Sequence, residues 1–162
     1  MHPRSRSSVR FAALSDLLAL ASAPAAAQTT EHDAAYHVVT RLFDSMRARD
    51  TAAMRSAFVP NASMQSLTAS GVKFDGVEAW ISGIGRAPAG LVLDERLANP
   101  VVHVDGDLAS IWVDYWFFAG DRFSHCGVDA FLLAKLEGAW KVFSVVDTRR
   151  TQGCPPAPPR VP

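Results

Sequence analysis

The sequence predicts an α+β domain in which a helical half precedes a strand-rich half. Three observations carry this expectation. Apolar residues recur at three- and four-residue steps in the segments before Gly85, the period shortens towards two from Leu91 onward, and glycine-containing turns divide that second half into long segments. Helices grouped before strands imply three helices packed on one face of an antiparallel sheet.

The first helix is expected from about Glu31. Thr30 and Asp33 form a capping-box pattern, and Ala35, Val38, Val39, Leu42, Phe43 and Met46 make one apolar stripe. Asp50 reads as the cap of a second short helix, Thr51 to about Phe58, closed by Pro60. Ala62–Thr68 and Val72–Phe74 read as a hairpin around Ser70-Gly71. Gly76 opens a third helix over Val77–Ile84, ended by Gly83, Gly85 and Pro88. Strands follow over Leu91–His103, bent at Asn99-Pro100, and then over Leu108–Phe118, Phe123–Leu136 and Trp140–Thr148. After Cys154 the tail is proline-rich, extended or disordered.

The N-terminus reads as a secretion signal over residues 1–27. Arg4, Arg6 and Arg10 precede an apolar run from Phe11, and Ala25-Ala26-Ala27 forms an A-x-A cleavage site; Asp16 interrupts the apolar core. The run is too short for a membrane span. A domain over 28–150 and a tail over 151–162 remain, for a periplasmic or secreted protein. The precursor carries 16 basic and 16 acidic residues, and removing the leader leaves a slightly acidic chain. Basic residues are scattered, which argues against nucleic acid as a partner, since neutralising phosphates takes a concentrated patch.

Cys126 and Cys154 suit one disulfide in an oxidising compartment, stabilising the fold by roughly 3 kcal/mol on the chain-entropy model. A buried free Cys126 with a loose Cys154, or an intermolecular bridge, are the alternatives. The spacing fits no zinc site.

Two-residue turns at Gly120-Asp121 and Glu137-Gly138 set a register in which Tyr115 faces Cys126 and Ala130 faces Val145. One face then holds Ile111, Val113, Tyr115, Phe117, Cys126, Val128, Ala130, Leu132, Phe143, Val145 and Asp147, and takes the helices. The other holds Trp112, Asp114, Trp116, His125, Asp129, Phe131, Leu133, Trp140 and Val142. So much apolar surface suggests a homodimer interface.

The order of landmarks resembles the nuclear transport factor 2-like superfamily. Arg49-Asp50-Thr51-Ala52-Ala53-Met54, Phe58-Val59-Pro60-Asn61-Ala62, Gly76-Val77-Glu78-Ala79-Trp80-Ile81 and Glu137-Gly138-Ala139-Trp140-Lys141-Val142 stand in the family's sequence of elements. Within it the chain is similar in style to SnoaL-like proteins and to a group named for lumazine binding. The resemblance implies a cone-shaped sheet around a cavity, commonly in a dimer. The positions matching the catalytic groups of ketosteroid isomerases fall near Leu42, Ser66 and Leu132, none of which suits that proton chemistry.

Two site candidates follow. Tyr115 and Asp147 lie on the apolar face, with Phe43, Phe58, Trp80, Phe117 and Phe143 as pocket walls; a small apolar or aromatic molecule is the expected ligand, unless the cavity is a filled core. An acid in apolar walls has a raised pKa and can move protons. Alternatively Asp114, His125 and Asp129 form a carboxylate–imidazole cluster, catalytic or simply structural. No cofactor is expected, and no metal, because that cluster lacks a second histidine. The two function classes are a binder of a small organic molecule and a cavity enzyme of isomerase, dehydratase or cyclase type.

Overall fold

Turn and cap chemistry divides the chain much as the patterns suggest. A computed structural model describes residues 25–160, so most of the leader expected as a secretion signal lies outside the described residues. Helix α1 spans Ala25–Ala48, α2 Thr51–Ser56 and α3 Val77–Gly85; strands β1 to β6 span Phe58–Thr68, Gly71–Phe74, Leu93–Asp105, Leu108–Ala119, Arg122–Leu136 and Ala139–Thr148. Asp50 caps α2 by accepting from the Ala53 N–H at 2.9 Å. Thr30 is not a cap: α1 begins at Ala25, in a run of strong helix formers, and passes through it.

The strands form one curved six-stranded sheet in the order β2-β1-β6-β5-β4-β3. It is mixed, because β1 runs parallel to β6 while the other neighbours are antiparallel. Ala35, Val39, Leu42, Phe43 and Met46 of α1 pack on its inner face with Ile81 and Ile84 of α3. Glu31 ties α1 to the end of the β5–β6 hairpin, accepting from Lys135 Nζ at 2.7 Å and from Trp140 Nε1 at 3.0 Å. No helix among the described residues is long and apolar enough to cross a membrane.

Both hairpin turns stand where the sequence placed them, with Ala119 opposite Arg122 and Leu136 opposite Ala139. Each hairpin then carries a bulge that turn chemistry does not reveal. Ser124 is extra between Phe123 and His125, so Tyr115 faces Gly127 rather than Cys126. Phe143 is extra between Val142 and Ser144, so Ala130 faces Val146 rather than Val145. A one-residue slip exchanges the faces of a strand. His125, Asp129, Phe131, Leu133, Trp140 and Val142 therefore join the inner face, and Cys126, Val128, Ala130 and Leu132 leave it. Beyond the second bulge the slips cancel, which returns Val145 and Asp147 to the side of Tyr115.

The outer face consequently carries less aromatic surface than expected and is partly covered. Cys126 and Cys154 are joined, and Cys126 pairs backbone to backbone with Arg150. The tail runs on across the sheet edge. Trp116 Nε1 donates to the Pro155 carbonyl at 2.8 Å, Arg96 donates to the Pro158 carbonyl at 3.1 Å, and Arg160 reaches Asp94 at 3.1 Å. Asp94 is fully buried and also meets Arg47 of α1 at 2.7 Å and Arg96 at 2.9 Å. Burial alone would raise its pKa, but these arginines hold its carboxyl below the usual value.

Candidate functional site

The inner face is apolar towards the Trp140 end and polar towards the Tyr115 end, and the polar end remains open. A cleft of about 410 Å³ lies between α3 and the sheet, walled by Trp80, Ile84, Leu93 and Phe117 with Lys73, Asp75, Glu95, His125 and Arg149. It adjoins a smaller pocket of about 50 Å³, with Trp80, Glu95, His125 and Arg149 common to both. Leu42, Phe43, Met64, Tyr115, Asp129, Phe131, Val145 and Asp147 complete the smaller pocket. The cleft has room for a ring; the inner pocket has room for a functional group or a few waters.

Asp147 anchors the polar end. It accepts from Ser66 Oγ at 2.5 Å, Tyr115 Oη at 3.1 Å and Arg149 Nε at 2.7 Å. Ser66 is fully buried, and its hydroxyl also lies 3.1 Å from Asp75. Tyr115 reaches the Thr148 carbonyl at 2.9 Å as well. Burial first, and the Asp147 charge second, raise the phenol's pKa, so Tyr115 keeps its proton. With three donors of its own, Asp147 serves as a positioning group.

Asp129 carries an oxygen that no donor among the described residues reaches. It is 4% exposed, and its Oδ2 has no hydrogen-bond partner among the described residues. Glu95, on the inner side of β3, stands within hydrogen-bonding reach of it across β4. Desolvation raises both carboxyl pKa values, and for Glu95 the neighbouring Asp129 charge adds to this. Both carboxyls are thereby biased towards their protonated forms at the pocket. His125 packs edge-on against Tyr115 with ring centroids 5.6 Å apart and receives a contact from Ser124 Oγ at 2.9 Å on Nδ1. Burial and then the Arg149 charge lower its pKa, which favours the neutral imidazole.

The two sequence candidates thus merge and lose members. His125 and Asp129 stand beside Tyr115 and Asp147, whereas Asp114 lies on the outer face, accepting from Asn99 Nδ2 at 2.9 Å. Phe43, Trp80 and Phe117 line the cavities. Phe58 stands edge-on to Trp80 with centroids 6.3 Å apart, and Phe143 occupies the β6 bulge; neither lines the cleft. Sequence reasoning missed Glu95, whose one signal is its place between Leu93 and Leu97 at strand period. Among the described residues no group of three or more potential ligands is arranged to hold a metal ion.

A protein-family model described as "Putative lumazine-binding" matches residues 30–146. The chain belongs to that family. Its fold is that of the nuclear transport factor 2-like proteins. It is similar to such a protein of unknown function from Shewanella baltica, at 19% identity and a TM-score of 0.61, over 76% of this chain and 97% of that one. One from Silicibacter pomeroyi, also of unknown function, is 25% identical, with a TM-score of 0.60 over 75% of this chain and 98% of that one. A Streptomyces avermitilis protein described as a "putative dehydratase" of the same fold family is 14% identical, with a TM-score of 0.61 over 76% and 98% of the two chains. No curated protein matches the sequence.

Proposed function

We propose that this family member is exported and binds a small apolar or aromatic molecule in the cleft between α3 and the sheet. The single observation that carries this reading is the cleft itself. About 410 Å³ of space has Trp80, Leu93 and Phe117 on its walls, and a polar pocket adjoins it. Apolar walls with a few convergent polar groups are how small organic ligands are held. Export rests on the leader and on the disulfide, which suits an oxidising compartment. A homodimer through the outer face rests on Trp112, 56% exposed, with Val101 and Leu132 beside it. Nucleic acid remains an unfitting partner, because the cations at the cleft, Lys73 and Arg149, are both engaged by acids.

Native mass spectrometry of the mature chain purified from a periplasm tests this. A small organic mass released on denaturation supports the pocket, and a homodimer mass supports the outer-face interface. A chain that stays empty when offered a panel of one- and two-ring compounds at millimolar concentration counts against the binding reading.

A second reading, a cavity enzyme of isomerase, dehydratase or cyclase type, is favoured by one observation: two carboxyls, Glu95 and Asp129, line the pocket together, and desolvation raises the pKa of both. Such a pair can take a proton from one atom of a bound molecule and return it to another. Exchange of the α-protons of small aryl ketones into deuterated water, followed by NMR, is its test. Exchange abolished by Glu95→Gln supports catalysis; exchange equal to the buffer rate for every ketone that binds leaves binding alone.

A further inference from the structure

The charges around the cavity do not balance. Lys73 pairs with Asp75 at 2.6 Å, and Arg149 pairs with Asp147 at 2.7 Å and with Asp75 at 3.8 Å. Both cations are therefore engaged. His125 is held towards its neutral form and Tyr115 keeps its proton. The walls contributed by α1 and α3, Leu42, Phe43, Ala79, Trp80, Gly83 and Ile84, carry no charge. Glu95 and Asp129 are left with no ion-pair partner among the described residues; they feel Arg149 only at a distance. An anion entering the inner pocket meets this acid pair first. A group bearing N–H donors and positive charge meets an acceptor lacking a donor, Asp129 Oδ2, inside an aromatic wall of Phe43, Trp80 and Tyr115 that also attracts cations.

We infer that the ligand is a small aromatic or apolar amine bound in its protonated form, its ammonium or ring N–H group directed at Asp129 and Glu95 and its ring lying in the cleft against Trp80 and Phe117. The inference rests on the pocket reading above and adds the charge of the occupant. The cation competes with protonation of these carboxyls, so amine binding strengthens as the pH rises.

The test uses three probes of one shape: benzylamine, benzyl alcohol and benzoate, titrated into the full mature chain by NMR at low salt. Benzylamine is expected to bind about tenfold or more tighter than benzoate, with benzyl alcohol between them. Its affinity should rise between about pH 5 and 8, the range over which a raised carboxyl pair loses its proton. Glu95→Gln should erase most of the preference of the amine over benzoate. Asp129→Asn serves as a second variant, and a thermal melt checks that each is folded. If the alcohol binds but the amine has no advantage over benzoate, the charge inference is overturned and the pocket reading stands. If a folded chain binds none of the three, both fall.

Discussion

The hydroxyl of Tyr115 stands 3.1 Å from Oδ2 of Asp147, joining the middle of β4 to the end of β6 across β5. The intervening residue on β5 is Gly127, opposite Tyr115, and a side chain there would occupy the space that the tyrosine ring and the β6 backbone use. This crossing keeps the polar end of the cavity in place.

A Cβ at Gly127 would lie 1.7 Å from the Thr148 carbonyl oxygen and 2.8 Å from the Tyr115 ring. Neither a backbone carbonyl inside a sheet nor a buried ring can withdraw cheaply. Gly127→Ala is expected to destabilise the protein by about 3 kcal/mol or more, since even modest overpacking costs 1–3 kcal/mol. Denaturant melts check this; a loss below about 0.5 kcal/mol would show that β6 does not lie where described.

Glu95 and Asp129 set the direction of a pH dependence. Their pKa values are raised in the folded state, so the folded chain holds more protons than the unfolded one. Their stabilising contribution is complete below the unfolded carboxyl value of about 4 and is lost as the pH climbs through the folded values. The melting temperature should therefore fall between about pH 5 and 8 in the parent and stay flatter in Glu95→Gln. Identical slopes would mean that the pair does not hold a proton.

Breaking the disulfide should free the tail. The bridge closes a loop with a sequence separation of 28, so Cys154→Ser is expected to cost about 3 kcal/mol. Segment 155–160 should become sensitive to proteases, and Trp116, 5% exposed under Pro155, should become wetter. Tryptophan fluorescence compared with a Trp116→Phe background isolates that change. An unaltered cleavage pattern would mean that Trp116, Arg96 and Asp94 hold the tail unaided.

Asp94 is buried among Arg47, Arg96 and Arg160. Asp94→Asn leaves three guanidinium groups around a neutral amide and is expected to lose about 3 kcal/mol. Arg160→Ala should lose under about 1 kcal/mol, because that arginine is 41% exposed and two partners remain. Comparable losses in the two variants would show that the tail, rather than α1, is what Asp94 holds.

The sequence by itself determined the order of elements, the Asp50 cap, the turns and the helix-packed sheet, because these depend on local conformational preference and on which residues recur at each period. Asp50, the Gly120-Asp121 and Glu137-Gly138 turns and the bend at Asn99-Pro100 were all legible on that basis. It also placed Tyr115 and Asp147 on one face, although only because two slips cancel. The tertiary structure alone decided the membership of the site. Whether Ser124 and Phe143 bulge depends on how three strands curve against α1 and α3, an energy spread over distant contacts with no local signature. Those two extra residues bring His125 and Asp129 inward, send Cys126 outward and allow Glu95 to meet Asp129, while Asp114 stays on the outer face where its alternation with Tyr115 puts it. An acid on a strand looks alike whether it faces water or a neighbouring acid; folding makes the difference by removing the water.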